Sequence, residues 1–175
     1  MKTTKYLLKE IVPADIKYIH KGLSDPAITI YYAVHFPTLA ATQEQMDWYS
    51  DLKKNGTGVW FGIYDKVTGQ FCGAGGFNDL DKNNKKAEIG MWLLKEYWGK
   101  GIMTEVMPAL FRYAFTELGL NRIEGYVDHK NSKCKRGLEK INFTYEGTRR
   151  EYEFKNGEWI DEDIYSILKR DWNPS

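Results

Sequence analysis

Hydrophobic and polar residues along this chain predict strands and helices in mixed order. Residues 6–12 are rich enough in apolar side chains to form a first strand. Pro13 and Asp15 predict the start of a helix, because proline suits the first turn and an early carboxylate complements the helix dipole. Apolar residues recur at helical spacing as far as Leu23, and the Asp-Pro pair at 25–26 predicts the end of the helix.

A second amphipathic helix is predicted to begin at Thr42. Thr42 and Gln45 have the spacing of a capping box, in which the two side chains satisfy amide groups of the first helical turn. Met46, Tyr49 and Leu52 would then line one face of the helix.

The middle of the chain predicts antiparallel strands. Residues 59–64 and 70–77 are two strand patterns on either side of a turn at 65–69. A polar segment at 79–85, rich in Asn and Lys, separates them from a further strand at 87–94.

The remaining pattern predicts a helix, a strand, a helix and two strands: 102–118, 122–127, 132–141, 145–154 and 160–168. Pro108 should cost about 3 kcal/mol or bend the long helix, unless it lies close to the first turn. The Asn156-Gly157 pair predicts a tight turn between the last two strands. This order predicts a mixed α/β (α+β) fold in a single domain over residues 1–175.

Composition and charge then exclude several classes of protein. Of the 175 residues, 42% are hydrophobic and 28% are charged, which is typical of a globular chain. The net charge of +1 provides no electrostatic footprint for nucleic acid or an anionic membrane. No apolar run reaches the roughly 18 residues of a membrane span, and the N-terminus lacks a signal-like segment. Cys72 and Cys134 are too few for a disulfide framework or a metal site, so we expect a cytoplasmic protein without metal.

Two glycines stand at the predicted turn between a strand and the long helix. Gly99 and Gly101 allow the backbone to approach a ligand closely, and the first amides of a helix lack partners. With the helix dipole, Lys100 and the Thr104 hydroxyl, this turn could bind a phosphate or pyrophosphate. Two such glycines more often form only a tight turn, and the segment matches neither a Walker loop nor a three-glycine dinucleotide motif.

The context of this turn resembles a known family. The segments AEIGMWL at 87–93 and EYWGKGIMTE at 96–105 are followed by Asn131, Cys134 and LEKINF at 138–143. Their order and spacing resemble the GNAT acetyltransferase superfamily. Within the superfamily, the chain looks most like the RimJ/RimL type, which acetylates ribosomal-protein N-termini and related amines. The resemblance extends over nearly the whole chain, although the N-terminal third matches only in pattern.

The resemblance implies a fold and an acetyl-CoA site. The sheet would be mostly antiparallel and splayed open between its fourth and fifth strands. Pantetheine would lie in this splay against Trp92, Leu93 and Leu94, and Asn131 would contact the cofactor near its thiol end. The pyrophosphate would bind the amides of the glycine turn, which comprises Trp98, Gly99, Lys100, Gly101, Ile102, Met103 and Thr104.

Some residues depart from the family pattern. Glu96 opens the glycine turn where Gln or Arg is frequent, and Cys134 replaces the usual serine. Leu138 stands where several relatives have a tyrosine that acts as an acid, so that variant of the mechanism is excluded here. Asn142 replaces a glycine before Phe143, and asparagine tolerates the left-handed backbone that such a turn needs.

Acetyl transfer to an amine needs a base and an acid, and the sequence offers one candidate for each role. Glu88 is the candidate base, acting through a water, because its apolar neighbours in the strand would raise its pKa toward neutrality. The alternative is a solvated glutamate that points outward. Cys134 is the candidate acid toward the leaving thiolate, and the alternative is a small buried residue. Asn131 could equally be a helix N-cap.

The acceptor side is less defined by the sequence. Tyr31, Tyr32 and His35 are expected to line the amine pocket, since their segment borders the acceptor in relatives; ordinary packing under a loop is the alternative. Acidic residues within 158–163 could attract a cationic acceptor, although a charged run is more often a solvated face.

The sequence therefore predicts an acetyl-CoA-dependent N-acetyltransferase that acts directly in a ternary complex, with a protein N-terminal α-amine as acceptor. The alternatives are a small-molecule acceptor, such as a polyamine, an aminoglycoside or an amino-acid-like amine, and a non-catalytic acetyl-CoA sensor. The oligomeric state stays open, with a homodimer as the commonest symmetric assembly.

Overall fold

The computed structural model describes residues 1–32, 34–155 and 157–173. Within these residues seven strands form one sheet: β1 (Tyr6–Glu10), β2 (Val59–Asp65), β3 (Phe71–Asp81), β4 (Lys86–Leu93), β5 (Arg122–Asp128), β6 (Thr144–Lys155) and β7 (Glu158–Leu168). The helices that flank the sheet are α1 (Ile16–Leu23), α2 (Pro26–Thr29), α3 (Gln43–Asn55), α4 (Ile102–Arg112) and α5 (Ser132–Lys140). Asn156, half of the predicted final turn, lies outside the described residues.

The strand order in the sheet is β1-β2-β3-β4-β5-β7-β6. Every neighbouring pair is antiparallel except β4 and β5, which are parallel. The last strand, β7, inserts between β5 and β6, so β6 is an edge strand. The predicted mixed and mostly antiparallel fold is confirmed.

Helices cover both faces of the sheet and enclose two hydrophobic clusters. On the α4 and α5 face, the buried cluster includes Phe77, Val106, Leu110, Ile123 and Leu138. On the face of α1, α2 and α3, the second cluster includes Ile19, Ile28, Tyr49, Trp60 and Trp92. Burial of these side chains is the main favourable contribution to the fold.

Strands β4 and β5 separate from each other along their length. Within the described chain they pair only at residues 86–88 and 122–124. Beyond this point β4 continues beside β3 to Leu93, and β5 continues beside β7 to Asp128. The gap between residues 89–93 of β4 and 125–128 of β5 is called the wedge below. It is the splay between the fourth and fifth strands that the family resemblance implied.

The capping box predicted at Thr42 and Gln45 is wrong. Thr42 already has helical dihedral angles (φ −66°, ψ −16°), and its amide bonds to the Thr38 carbonyl at 3.1 Å. The Thr42 hydroxyl donates to the same carbonyl at 3.0 Å and lies 2.9 Å from His20 Nδ1. Because these tertiary and local partners occupy the hydroxyl, it does not cap α3.

The long helix predicted over 102–118 consists of two parts. Helix α4 ends at Arg112, and the chain continues as a π-helical turn over Tyr113–Glu117. Pro108 lies beyond the first turn of α4 and cannot donate a main-chain bond to the Thr104 carbonyl. Both Pro108 and Thr104 are exposed, so water can satisfy that carbonyl.

Candidate active site

The wedge opens into a cavity of about 1800 Å³ that continues on both sides of the sheet. One half, called the donor half, is lined by residues 97–104 before and in α4 and by the start of α5. The other, called the acceptor half, is lined by β6, by the segment between α2 and α3, and by the ends of β3 and β4. Two different substrates can therefore approach β4 from opposite sides of the sheet.

The free edge of β4 presents main-chain groups to the wedge. The Trp92 carbonyl faces β3, since a Cβ placed on Gly73 of β3 would lie 2.2 Å from its oxygen. Successive residues of a strand direct their main-chain groups to opposite sides. Met91 and Leu93 therefore direct their N–H and C=O groups into the wedge.

Two side chains already bond to these carbonyls. The Trp98 indole N–H donates to the Leu93 carbonyl at 2.8 Å, and the Tyr32 hydroxyl donates to the Met91 carbonyl. The wedge is thus a polar slot suited to an extended ligand with amide groups, which is the chemistry of pantetheine.

The glycine turn has the geometry of an anion site. Gly99 (φ 73°) and Gly101 (φ 74°) adopt the left-handed backbone that favours glycine, and a Cβ at either position would meet open space. The first helical bond of α4 runs from Glu105 N to Gly101 O at 3.2 Å. The amides at 102–104 precede this bond and point out of the helix N-terminus, where an anion is favoured.

Cationic side chains surround the donor half. Lys133, Arg136 and Lys140 of α5 line the cavity, and Lys100 lies over the Tyr97 ring at 5.1 Å. Sequence reasoning missed the three residues of α5. Their spacing of three and four positions, which places them on one helical face, is the signal that would have found them.

The unusual acid of the glycine turn points away from the donor half. Glu96 Oε1 pairs with Lys21 Nζ of α1 at 2.5 Å, and this contact lowers the pKa of Glu96. Leu94, expected beside pantetheine, is buried in the cluster under α1 and is not among the cavity-lining residues. The other residues expected to bind the cofactor all line the cavity.

Glu88 lies where β4 and β5 part, on the acceptor side of the wedge. Burial raises the pKa of its carboxyl to about 7, and the nearby carboxylates of Asp79 and Glu162 contribute to the rise. An irregularity in β3 brings Asp79 close, since Asp79 has a φ of 50° and the register shifts after Asn78. Near neutral pH Glu88 can therefore accept a proton from an ammonium group.

Asn131 and Cys134 begin α5 on the β5 side of the wedge. Asn131 Oδ1 accepts a bond from Cys134 N at 3.0 Å, so Asn131 is the N-cap of α5. Burial raises the pKa of the Cys134 thiol to about 11. The thiol stays protonated at neutral pH but is a weaker acid than an exposed cysteine. Leu138 is buried.

The residues predicted for the acceptor wall divide into two groups. Tyr31 and Tyr32 line the cavity. His35 is not among its lining residues, and its Nδ1 lies 3.2 Å from Thr29 Oγ1.

Sequence reasoning missed a cationic group of the acceptor half. The Arg149 guanidinium lies 3.7 Å from the centre of the Tyr152 ring and 4.6 Å from that of Tyr126. It also pairs with Glu162. Strands β5, β6 and β7 each contribute to this group, so no single stretch of sequence signals it.

The acidic run near the last hairpin is not one docking face. Lys130 pairs with Glu158 at 2.8 Å. Asp163 is buried, and its carboxylate contacts His129 at 2.9 Å and Lys135 at 3.1 Å. Because these acids have cationic partners within the protein, the run as a whole does not favour a cationic acceptor.

A family model described as the acetyltransferase (GNAT) domain matches residues 5–144. This chain belongs to the GNAT acetyltransferase family. It is an N-acetyltransferase, and acetyl-CoA is its acetyl donor. The glycine turn, the basic face of α5 and the slot along β4 fit the phosphates and pantetheine of that donor.

Several known proteins are similar to this GNAT enzyme in sequence or in fold. The uncharacterised N-acetyltransferase p20 of Bacillus licheniformis is 34% identical over 171 residues, which cover 97% of this chain and 96% of p20. YdaF of Bacillus subtilis (strain 168), a proposed ribosomal N-acetyltransferase, is 41% identical over 129 residues (72% of this chain, 67% of YdaF). The spermidine N-acetyltransferase from Vibrio cholerae, solved with CoA and spermine, has the same fold: the TM-score is 0.87 at 22% identity, covering 96% and 98% of the chains.

Among the described residues, no group of three or more His, Cys, Asp or Glu side chains could hold a metal ion. In the same part of the chain, every helix is too short or too polar to cross a membrane.

Proposed function

We propose that the enzyme acetylates a protein N-terminal α-amine by direct transfer within a ternary complex. The observation that carries this proposal is the position of Glu88 beside the slot of β4, on the acceptor side of the wedge. An amine that reaches Glu88 would meet a thioester held along residues 91–93. The relationship to YdaF, a proposed ribosomal N-acetyltransferase, supports a protein acceptor.

The proposed reaction needs few groups. Glu88, through a water, takes one proton from the ammonium form of the acceptor, and the freed nitrogen attacks the thioester carbon. The Met91 N–H directed into the wedge donates to the developing oxyanion. The carbon–sulfur bond then breaks with its electron pair going to sulfur, and the second proton of the nitrogen goes to that sulfur. Proximity of the two bound substrates supplies much of the rate.

A second candidate acceptor is a small polyamine. The carboxylates of Asp79 and Asp81 line the acceptor half near Glu88 and could hold further ammonium groups. The fold is shared with a spermidine N-acetyltransferase, which supports the fold and leaves the acceptor open.

Release of free thiol from acetyl-CoA, measured with a panel of acceptors, tests these proposals. We expect kcat/KM to be highest for peptides with a free N-terminal amine and to fall when that amine is blocked. Higher values for spermidine would favour the polyamine. Binding of acetyl-CoA without turnover on any amine would favour a sensor.

The basic face of α5 provides a test of donor binding. The double variant Lys133→Gln, Arg136→Gln should raise the Kd for acetyl-CoA about 10-fold, because two charges facing the phosphates are lost. Titration calorimetry measures the change, and added salt should weaken binding by the wild type more than by the variant. Lys54→Gln, at an exposed position of α3 outside the cavity, is the control. Equal affinities of the wild type and the double variant for acetyl-CoA would contradict a phosphate site beside α5.

Cys134 can be tested by a pair of variants. If its thiol donates toward the leaving sulfur, Cys134→Ser should keep most of the activity, because a hydroxyl also donates, and Cys134→Ala should lose about 10-fold in kcat. Steady-state kinetics at saturating acetyl-CoA measures both. Equal kcat values for the serine and alanine variants would remove Cys134 from the mechanism.

Three further proposals concern the domain organisation, the cellular location and the oligomeric state of the enzyme. We propose that residues 1–175 act as one domain and that the enzyme works in the cytoplasm, which the two free thiols of Cys72 and Cys134 support. A homodimer stays a prediction, which sedimentation of the purified protein would test.

A further inference from the structure

Tyr32 reaches the wedge from the segment that follows α2. Its hydroxyl donates to the Met91 carbonyl on the free edge of β4. Its own main-chain carbonyl accepts a bond from the Lys155 ammonium at the end of β6. The residue therefore joins two walls of the acceptor half, and its hydroxyl lies in the slot along β4.

This position is adjacent to the reacting atoms of the proposed transfer. The N–H and C=O of Met91 point to the same side of β4, so the Tyr32 hydroxyl lies beside the amide that would hold the thioester oxygen. Burial raises the pKa of Tyr32 well above its usual value, and Cys134, Tyr49 and Glu88 contribute to the rise. The hydroxyl thus stays protonated and remains a hydrogen-bond donor.

We propose that Tyr32 is a catalytic residue whose hydroxyl turns from the Met91 carbonyl and donates a hydrogen bond to the sulfur of the departing CoA. This inference rests on the proposed acetyl transfer. The tyrosine keeps its proton throughout, while the sulfur receives the electron pair of the broken bond and the second proton of the amine. A phenolic O–H is a stronger donor than the thiol of Cys134, and Leu138 offers no donor.

Kinetics of Tyr32→Phe test the role directly. The variant keeps the ring and loses only the hydroxyl, so kcat should fall about 10- to 100-fold while the KM for acetyl-CoA changes little. Tyr18→Phe is the matched control, because Tyr18 is an exposed residue of α1 outside the cavity. If Tyr32→Phe keeps the wild-type kcat, or loses only affinity for acetyl-CoA, the catalytic role is wrong.

A binding experiment separates this inference from the proposed function. Calorimetry at one mildly alkaline pH compares CoA with desulfo-CoA, which lacks the sulfur. Wild-type protein should bind CoA with a lower Kd than desulfo-CoA. In Tyr32→Phe, the ratio of the Kd for desulfo-CoA to the Kd for CoA should be about 10-fold smaller. An unchanged preference overturns the role of Tyr32 even if wild-type protein acetylates amines. If wild-type protein acetylates no amine, the proposed function fails, and the same comparison still decides whether Tyr32 contacts the sulfur. Failure to bind either compound overturns both.

Discussion

Replacement of Glu88 by glutamine is expected to lower kcat at least 100-fold, because the amide has no basic group to accept the ammonium proton. The pH dependence provides the sharper result. Burial and the Asp79 carboxylate raise the pKa of Glu88 to about 7, so the carboxyl is protonated and inactive as a base below that pH. Wild-type kcat/KM should therefore rise with pH through about 7, and this rise should be absent from Glu88→Gln.

Two further variants complete the experiment on Glu88. Glu139→Gln removes an exposed carboxylate of α5 outside the cavity and should leave the pH profile unchanged. Asp79→Asn removes the largest charge that raises the pKa of Glu88, so the rise in activity should move to lower pH. Wild-type turnover and an unshifted profile in Glu88→Gln would exclude Glu88 as the base.

The second large effect concerns the stability of the fold where β3 and β4 approach each other closely at Gly73. A Cβ at Gly73 would lie 2.2 Å from the Trp92 carbonyl oxygen and 2.8 Å from Leu93 Cα. Both atoms belong to the backbone of β4, which can move only if β3 and β4 separate. Gly73→Ala should therefore lower the free energy of unfolding by about 3 kcal/mol, or the melting temperature by roughly 10 °C.

The control for Gly73→Ala lies two residues along the same strand. A Cβ at Gly75 would meet the Met91 side chain at 3.2 Å, and that side chain can adjust. We expect Gly75→Ala to change the free energy of unfolding by less than about 1 kcal/mol. Urea unfolding measures both variants. If they are equally stable, the close approach of β3 and β4 at Gly73 does not limit the fold.

The sequence pattern predicted the strands and helices of this protein well, because secondary structure depends largely on residues that are close together in the chain. Alternation and helical spacing depend on neighbouring residues, and the predicted strands and most of the predicted helices are present. The capping box failed where a distant residue intervened, since His20 and the earlier turn at Thr38 take up the Thr42 hydroxyl. Asn142 has a φ of 66°, as expected for an asparagine in a glycine position.

The candidate site was only partly predictable for the same reason. The glycine turn and Glu88 lie in continuous segments around β4, where motif and spacing are visible in the sequence. The group formed by Arg149, Tyr126 and Glu162 depends on the order β5-β7-β6, which no local pattern specifies. The pKa of Cys134 follows from burial by the surrounding fold, which its neighbours in the chain do not reveal.

The amino-acid sequence alone determined the order of strands and helices, the glycine turn before α4 and, through resemblance, the family. These properties depend on backbone preferences and residues close together in the chain. Only the tertiary structure decided that Tyr32 reaches Met91, that Glu96 turns toward Lys21, and that Glu88 is buried enough to titrate near neutrality. The physical reason is that hydrogen bonds, ion pairs and desolvation depend on which distant segments become neighbours when the chain folds.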